Sequence, residues 1–142
     1  LQPTKLRLSP RRVVDGRDAR DDGGVKITFI GYGNVGAALA ANLARVGHEV
    51  VLAQGREESE SLKKALGRAP TLTAAPTAEA IARAEVVFLA TPYGANEALL
   101  TEWGKALAGK VLVDCTNPVG PGLSHGLGSA RSGSQAVQSL AP

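Results

Sequence analysis

Val25-Lys26-Ile27-Thr28-Phe29-Ile30-Gly31-Tyr32-Gly33-Asn34-Val35-Gly36 is the stretch from which the fold can be read. Its opening run alternates and is rich in β-branched side chains, the pattern of a buried strand. The run stops at Gly31, and Gly31, Gly33 and Gly36 follow in G-x-G-x-x-G spacing. In a dinucleotide-binding turn each glycine has its own task. The first permits the sharp bend, the second lets a pyrophosphate approach the backbone, and the third lets the next helix pack on the sheet.

The segment that follows, Asn34 to Val46, is alanine-rich and free of proline, and it reads as a helix. Val35, Leu39, Leu43 and Val46 fall at helical spacing and are expected to share one face, with Gly47 at the C′ position. The unpaired N–H groups at the start of such a helix, at the positive end of its dipole, would face phosphates. Strand, glycine turn and helix together favour dinucleotide binding over a merely structural turn.

Val50 to Ala53 is a second strand of the buried kind, so strand, helix and strand make a βαβ unit and a parallel sheet. The tip of this second strand is where the adenosine ribose of a dinucleotide should lie. An acid there would accept hydrogen bonds from the 2′-hydroxyl of NAD, and an arginine would accommodate the 2′-phosphate of NADP. The chain reads Ala53-Gln54-Gly55-Arg56, with no acid at the tip and a cation just beyond. Arg56 can pair bidentately with a phosphate and Gln54 can add a hydrogen bond, which favours NADP over NAD.

Helix and strand patterns then alternate to the end. Ser59 to Leu66 reads as a short helix and Thr71 to Thr73 as a brief third strand. Ala78 to Ala84 reads as a helix with Thr77 as its N-cap, and Val86 to Ala90 as a central strand. A helix carrying Leu99, Leu100, Trp103 and Leu107 follows, with Trp103 expected in the core. Val111 to Asp114 is the fifth strand, and Ser132 to Leu140 a final helix with Ala136, Val137 and Leu140 on one face. The fold expected is α/β, a Rossmann-like doubly wound parallel sheet flanked by helices. Strand carboxyl ends form the ligand crevice of such a sheet. Thr91-Pro92-Tyr93 and Thr116-Asn117-Pro118 therefore join the glycine turn on one rim.

With 142 residues, 44% apolar and 20% charged, the chain has room for one globular core. No apolar run is long enough to cross a bilayer and no secretory segment opens the chain, so a cytoplasmic protein without a membrane role is expected. A single cysteine, Cys115, and two histidines offer no metal site. Nothing near Cys115 would lower its pKa, so it reads as a small packed side chain, and Asp114 as a residue holding the loop after its strand. No catalytic acid, base or nucleophile is assigned. Residues 1–24 mix Lys5, Arg7, Arg11, Arg12, Arg17 and Arg20 with four aspartates, and no aromatic residue. They are expected to be a mostly disordered leader rather than a nucleic-acid arm, ahead of an NADP-binding domain over 25–142. The opening on Leu1 instead of methionine suggests trimming or a leader foreign to the fold.

Taken together these segments resemble the NADP-binding part of the coenzyme F420-type, deazaflavin-dependent NADP reductases. The matching stretches are Gly31-Tyr32-Gly33-Asn34-Val35-Gly36, Ala53-Gln54-Gly55-Arg56, Ala90-Thr91-Pro92, Gly109-Lys110-Val111, Asp114-Cys115-Thr116-Asn117-Pro118 and Ser132-Gly133-Ser134. The resemblance implies that the backbone at Gly33, Asn34 and Val35 holds the pyrophosphate. It places Arg56 with Gln54 on the 2′-phosphate, and Thr91-Pro92 and Asn117-Pro118 beside the nicotinamide. Gln54-Gly55 departs from the Ser-Arg pair common in the family. The implied activity is hydride transfer between NADP(H) and a small-molecule acceptor, a deazaflavin or flavin. Against the family the chain looks short at its C-terminal end, which gives a second reading, a non-catalytic NADP(H)-binding module or fragment. An uncovered sheet edge at that end would favour a homo-oligomer. A hydroxyacid-type dehydrogenase, which would need a basic residue from a second domain, ranks last.

Overall fold

The computed structural model describes residues 23–55 and 59–141. Most of the expected leader, together with Arg56, Glu57 and Glu58, lies outside the described residues. The elements are β1 Lys26–Ile30, α1 Asn34–Arg45, β2 Glu49–Gln54, α2 Glu60–Leu66, β3 Thr73–Pro76 and α3 Thr77–Arg83. They continue with β4 Val86–Leu89, α4 Asn96–Leu107, β5 Val111–Asp114 and α5 Gly133–Leu140. The strands pair in parallel in the order β3-β2-β1-β4-β5. The chain steps outward from β1 to β3, then returns to lay β4 on the other side of β1. That is the doubly wound sheet expected, with its switch point between β1 and β4.

Alternation along the strands divides the core into two layers. Ile27, Phe29, Val50 and Leu52 face α1 and α2, where Phe29 stacks on Phe88 with ring centroids 4.5 Å apart. Ile30, Val51, Ala53, Val87 and Leu89 face α3, α4 and α5. Thr28, on this second face, is fully buried, and its hydroxyl donates to the Ala80 carbonyl at 2.8 Å. Ala80 lies in the last turn of α3, where the Ala84 N–H bonds Ile81 instead. The strand thus satisfies a carbonyl that the helix end leaves open. Thr28→Val keeps the shape and removes the donor, and is expected to cost about 1–3 kcal/mol. Chemical denaturation checks this, and an unchanged midpoint would show the bond to be dispensable.

The buried stripe of α1 is not the expected valine–leucine face. Gly36, Ala37, Ala40, Ala41 and Ala44 are buried, whereas Val35 is 57% and Val46 72% exposed. Leu39 and Leu43 pack only at the margin of the core. The reason is steric: a helix pressed against a sheet presents its smallest side chains. The C-terminus closes as expected at Gly47, φ +98°, where the Gly47 and His48 N–H groups bond the Ala44 and Leu43 carbonyls.

The third strand begins two residues later than expected and runs through Pro76. Proline fits there because β3 is an edge strand, with one side unpaired. Thr77 does not cap α3. Its hydroxyl donates across to the Gln54 carbonyl at 3.0 Å, tying the start of α3 to the tip of β2. At the other edge, every residue of β5 is exposed or half-buried. Ser132 and Gln135 form a reciprocal capping box at the start of α5. Ala136 and Val137 of that helix are buried, but Leu140 is 44% exposed and leaves the shared face. Among the described residues no helix is long and apolar enough to cross a membrane.

Candidate functional site

The carboxyl ends of β1, β2, β4 and β5 bring the candidate residues onto one rim. Gly31 leaves β1 with φ +95°, and a Cβ there would lie 2.6 Å from the carbonyl of Ala90 at the end of β4. A Cβ on Gly36 would collide with the Gly31 carbonyl oxygen. Both glycines are therefore required by close packing. Gly33 is different: a Cβ there meets nothing within 4 Å. It is the N-cap of α1, contributes no side-chain hydrogen bond, and is followed by no acid in the first turn. Helix N–H groups without a side-chain partner thus open onto free space at the switch point, an arrangement suited to an anion. Tyr32 is half-buried beside them, and Asn34 and Val35 are exposed.

Around the ends of β4 and β5 the polar groups form a chain. Asn96 is buried, and its Nδ2 donates to Thr116 Oγ1 at 2.8 Å. Thr116 Oγ1 donates to Asp114 Oδ1 at 2.7 Å, and the Thr116 N–H donates to the same oxygen at 2.9 Å. Asp114 therefore holds the loop after its strand, as expected. Two atoms of this rim, Thr91 Oγ1 and Asn96 Oδ1, are buried with no hydrogen-bond partner among the described residues. Orphaned groups of this kind are rare and suit a site that a ligand completes. Pro92 and Asn117 are exposed on the rim, and Pro118 is buried against Gly133 at the start of α5. Tyr93 is half-buried and packs on the core. Burial, then the Asp114 charge, pushes the Cys115 thiol above its usual pKa, the opposite of what an activated nucleophile needs.

At the tip of β2, Gln54 is half-buried and Gly55 exposed, and both line a cavity of about 540 Å³. Its other walls are Pro76, Thr77 and Ala78 from the start of α3, and Leu99, Glu102 and Trp103 from α4. Trp103 does pack against the core as expected, but it also presents surface to this cavity. That second role was not legible from a helical apolar stripe alone. A wider hollow of about 750 Å³ lies at the opposite ends of the strands, lined in part by Glu49 and Glu85. Its place at the strand amino ends, opposite the crevice in which such sheets bind ligands, sets it apart from the rim. Among the described residues no group of His, Cys, Asp or Glu side chains is arranged to hold a metal.

Known proteins share this fold over most of its length. Residues 26–118, well over half of the 142, match the family model described as NADP oxidoreductase, coenzyme F420-dependent. The chain belongs to that family. Every rim candidate from Gly31 to Pro118 falls inside the region shared with the F420-dependent family. The chain is similar to the F420-dependent NADP reductase of Methanothermobacter marburgensis, at 34% identity over 104 residues, covering 67% of this chain and 46% of that protein. It is also similar to a solved structure from Arthrobacter sp. FB24, proposed as an F420-dependent NADP reductase. There the identity is 32% and the TM-score 0.70, over 82% of this chain and 58% of that one. A hypothetical protein from Sinorhizobium meliloti gives a TM-score of 0.69 at 27% identity, over 83% of this chain and 57% of that one. The chain thus spans about half the length of these relatives.

Proposed function

We propose that the chain binds NADP(H) and serves an oxidoreductase that passes hydride between this cofactor and a deazaflavin or flavin-like acceptor. The observation that carries the reading is the start of α1, where capless N–H groups and an unobstructed Gly33 stand at the switch point of the sheet. The pyrophosphate lies against Gly33, Asn34 and Val35, on the side of Gly31, Tyr32 and Gly36. The adenine lies in the cavity between Gln54, Gly55 and the Leu99–Trp103 face of α4, an apolar wall for a flat ring. Arg56, by its place in the sequence after Gly55, takes the 2′-phosphate. The nicotinamide lies along Thr91, Pro92, Tyr93, Thr116, Asn117 and Pro118, where the orphaned Thr91 Oγ1 and Asn96 Oδ1 offer it hydrogen-bonding groups.

Bound NADP(H) supplies the hydride chemistry, so the protein's part is to place two rings in contact. The rim fits that division of labour. Asp114 is engaged with Thr116, and the raised pKa of Cys115 keeps its thiol protonated. His48 accepts from the Val25 N–H at the far end of the sheet, away from the rim. A second reading, a cofactor-binding module that turns over only with further protein, is favoured by the unpaired outer side of β5 beside the nicotinamide rim. In either reading residues 25–142 act as one nucleotide-binding unit.

Titration of the purified chain with NADPH and NADH tests the proposal, followed by NADPH oxidation with a deazaflavin acceptor. NADPH is expected to bind more tightly than NADH, and Arg56→Ala to weaken NADPH about tenfold. Turnover supports the first reading, and tight binding without turnover the second. Failure to bind either nucleotide would remove both.

A further inference from the structure

A small cavity of about 160 Å³ lies between the glycine turn and α2. One wall is Tyr32, Gly33 and Asn34, and the other is Ser61, Lys64 and Arg68. It is below the range of roughly 300–1,000 Å³ usual for whole organic ligands, and suits one compact group. Its chemistry selects an anion. Lys64 and Arg68 bring two positive charges, and Tyr32 and Ser61 bring hydroxyls that can donate.

Among the described residues neither Lys64 nor Arg68 forms an ion pair. Lys63 pairs with Glu60 on α2 and Arg83 with Glu79 on α3, and Glu60, four residues before Lys64, is held by Lys63 at 3.1 Å. Two cations sharing a small hollow repel each other, and an anion between them reverses the sign of that interaction. The hollow also touches Gly33 and Asn34, the residues proposed to meet the pyrophosphate. In the chain α2 is the element that follows the tip of β2. In dinucleotide-binding sheets the groups beyond the second strand meet the 2′ side of the ribose.

We infer that Lys64 on α2 and Arg68 just beyond its C-terminal cap, with Tyr32 from the glycine turn, receive the 2′-phosphate of NADP. This rests on the dinucleotide reading above and extends it to a second helix. α2 ends at Leu66 and Gly67 caps it, so Lys64 stands in the last turn of the helix and Arg68 just beyond the cap, and both line the hollow. Lys64 contributes a point charge, and Arg68 can hold a phosphate through two parallel N–H bonds. The specificity for NADP is thereby carried by α2 and the turn that ends it as well as by the connection after β2.

The test is the dissociation constants of NADPH and NADH for the wild-type chain, Lys64→Met, Arg68→Met and Lys64→Arg. Both positions are exposed, so the variants should fold as the parent does, and a thermal melt verifies this. Each Met variant is expected to weaken NADPH about tenfold while leaving NADH within about twofold, and Lys64→Arg to retain most of the affinity. Unchanged NADPH binding in both Met variants would overturn the inference and leave the dinucleotide reading standing. An equal loss for NADPH and NADH would place the pyrophosphate in the hollow, and would also overturn it. A wild-type chain that binds neither nucleotide would remove the dinucleotide reading and this inference together.

Discussion

Gly31→Ala is expected to lower the folding stability by about 2–5 kcal/mol, a large share of what holds a domain of this size together. Two costs add. The backbone at this position has φ +95°, a region that side chains with a Cβ rarely occupy. The new Cβ would also lie 2.6 Å from the carbon and oxygen of the Ala90 carbonyl and 2.8 Å from the Thr91 methyl. Neither obstacle can swing aside, because the Ala90 N–H is itself bonded to the Ile30 carbonyl at 2.8 Å. β1 and β4 are locked together at the point where the methyl must go. A urea unfolding curve reads the effect as a fall in midpoint with little change in slope. A midpoint equal to that of the parent would mean that the turn is not built as described.

Two residues on, the same class of change should do the opposite. Gly33→Val is expected to leave stability within about 1 kcal/mol of the parent, the scale of a changed N-cap. Its NADPH affinity is expected to fall roughly a hundredfold or more, through blocked approach of the pyrophosphate. Gly33 has φ −67° and ψ −159°, which any residue can adopt, and nothing stands within 4 Å of a Cβ placed there. The free space is on the ligand side, so a branched side chain would fill the volume in front of the first N–H groups of α1. Isothermal titration of the folded variant decides the matter. Normal NADPH binding would move the pyrophosphate away from the glycine turn.

These two glycines also show what was legible in the sequence and why. Spacing alone separated the bend, the phosphate approach and the helix contact, and Gly31, Gly33 and Gly36 stand in surroundings that fit those tasks. The order of elements followed from strand and helix periods, because each central strand is a short apolar run bounded by turn residues. Detail was lost where size mattered more than hydrophobicity. The face of α1 was read from its valines and leucines, yet close approach to the sheet buries Ala37, Ala40, Ala41 and Ala44. Pro76 marked a break in the sequence, but an edge strand accommodates it. Thr77 looked like a cap and instead bridges to Gln54. Lys64 and Arg68 carry no signal in the sequence, since only the packing of α2 beside the turn gives them a shared cavity with Gly33. Trp103 was placed by its apolar stripe, which says nothing of the surface it turns toward β2.

The strand order carries a consequence for how the domain is made. β1, β2 and β3 are contiguous in the chain, and with α1 and α2 they can close one core layer as soon as they leave the ribosome. β1 is then an edge strand. Thr28 already has Val51 as a neighbour but waits for Val87, and Phe29 waits for the ring of Phe88. Until α3 has been synthesised and β4 follows it, the most buried strand of the finished protein presents a row of unsatisfied backbone groups and a bare apolar face. Such nascent edges are where chains pair with the wrong partner. A chain that has emerged from the ribosome only as far as residue 85 stays in this half-sheet state, and one that has emerged beyond residue 89 can cover its central strand with β4.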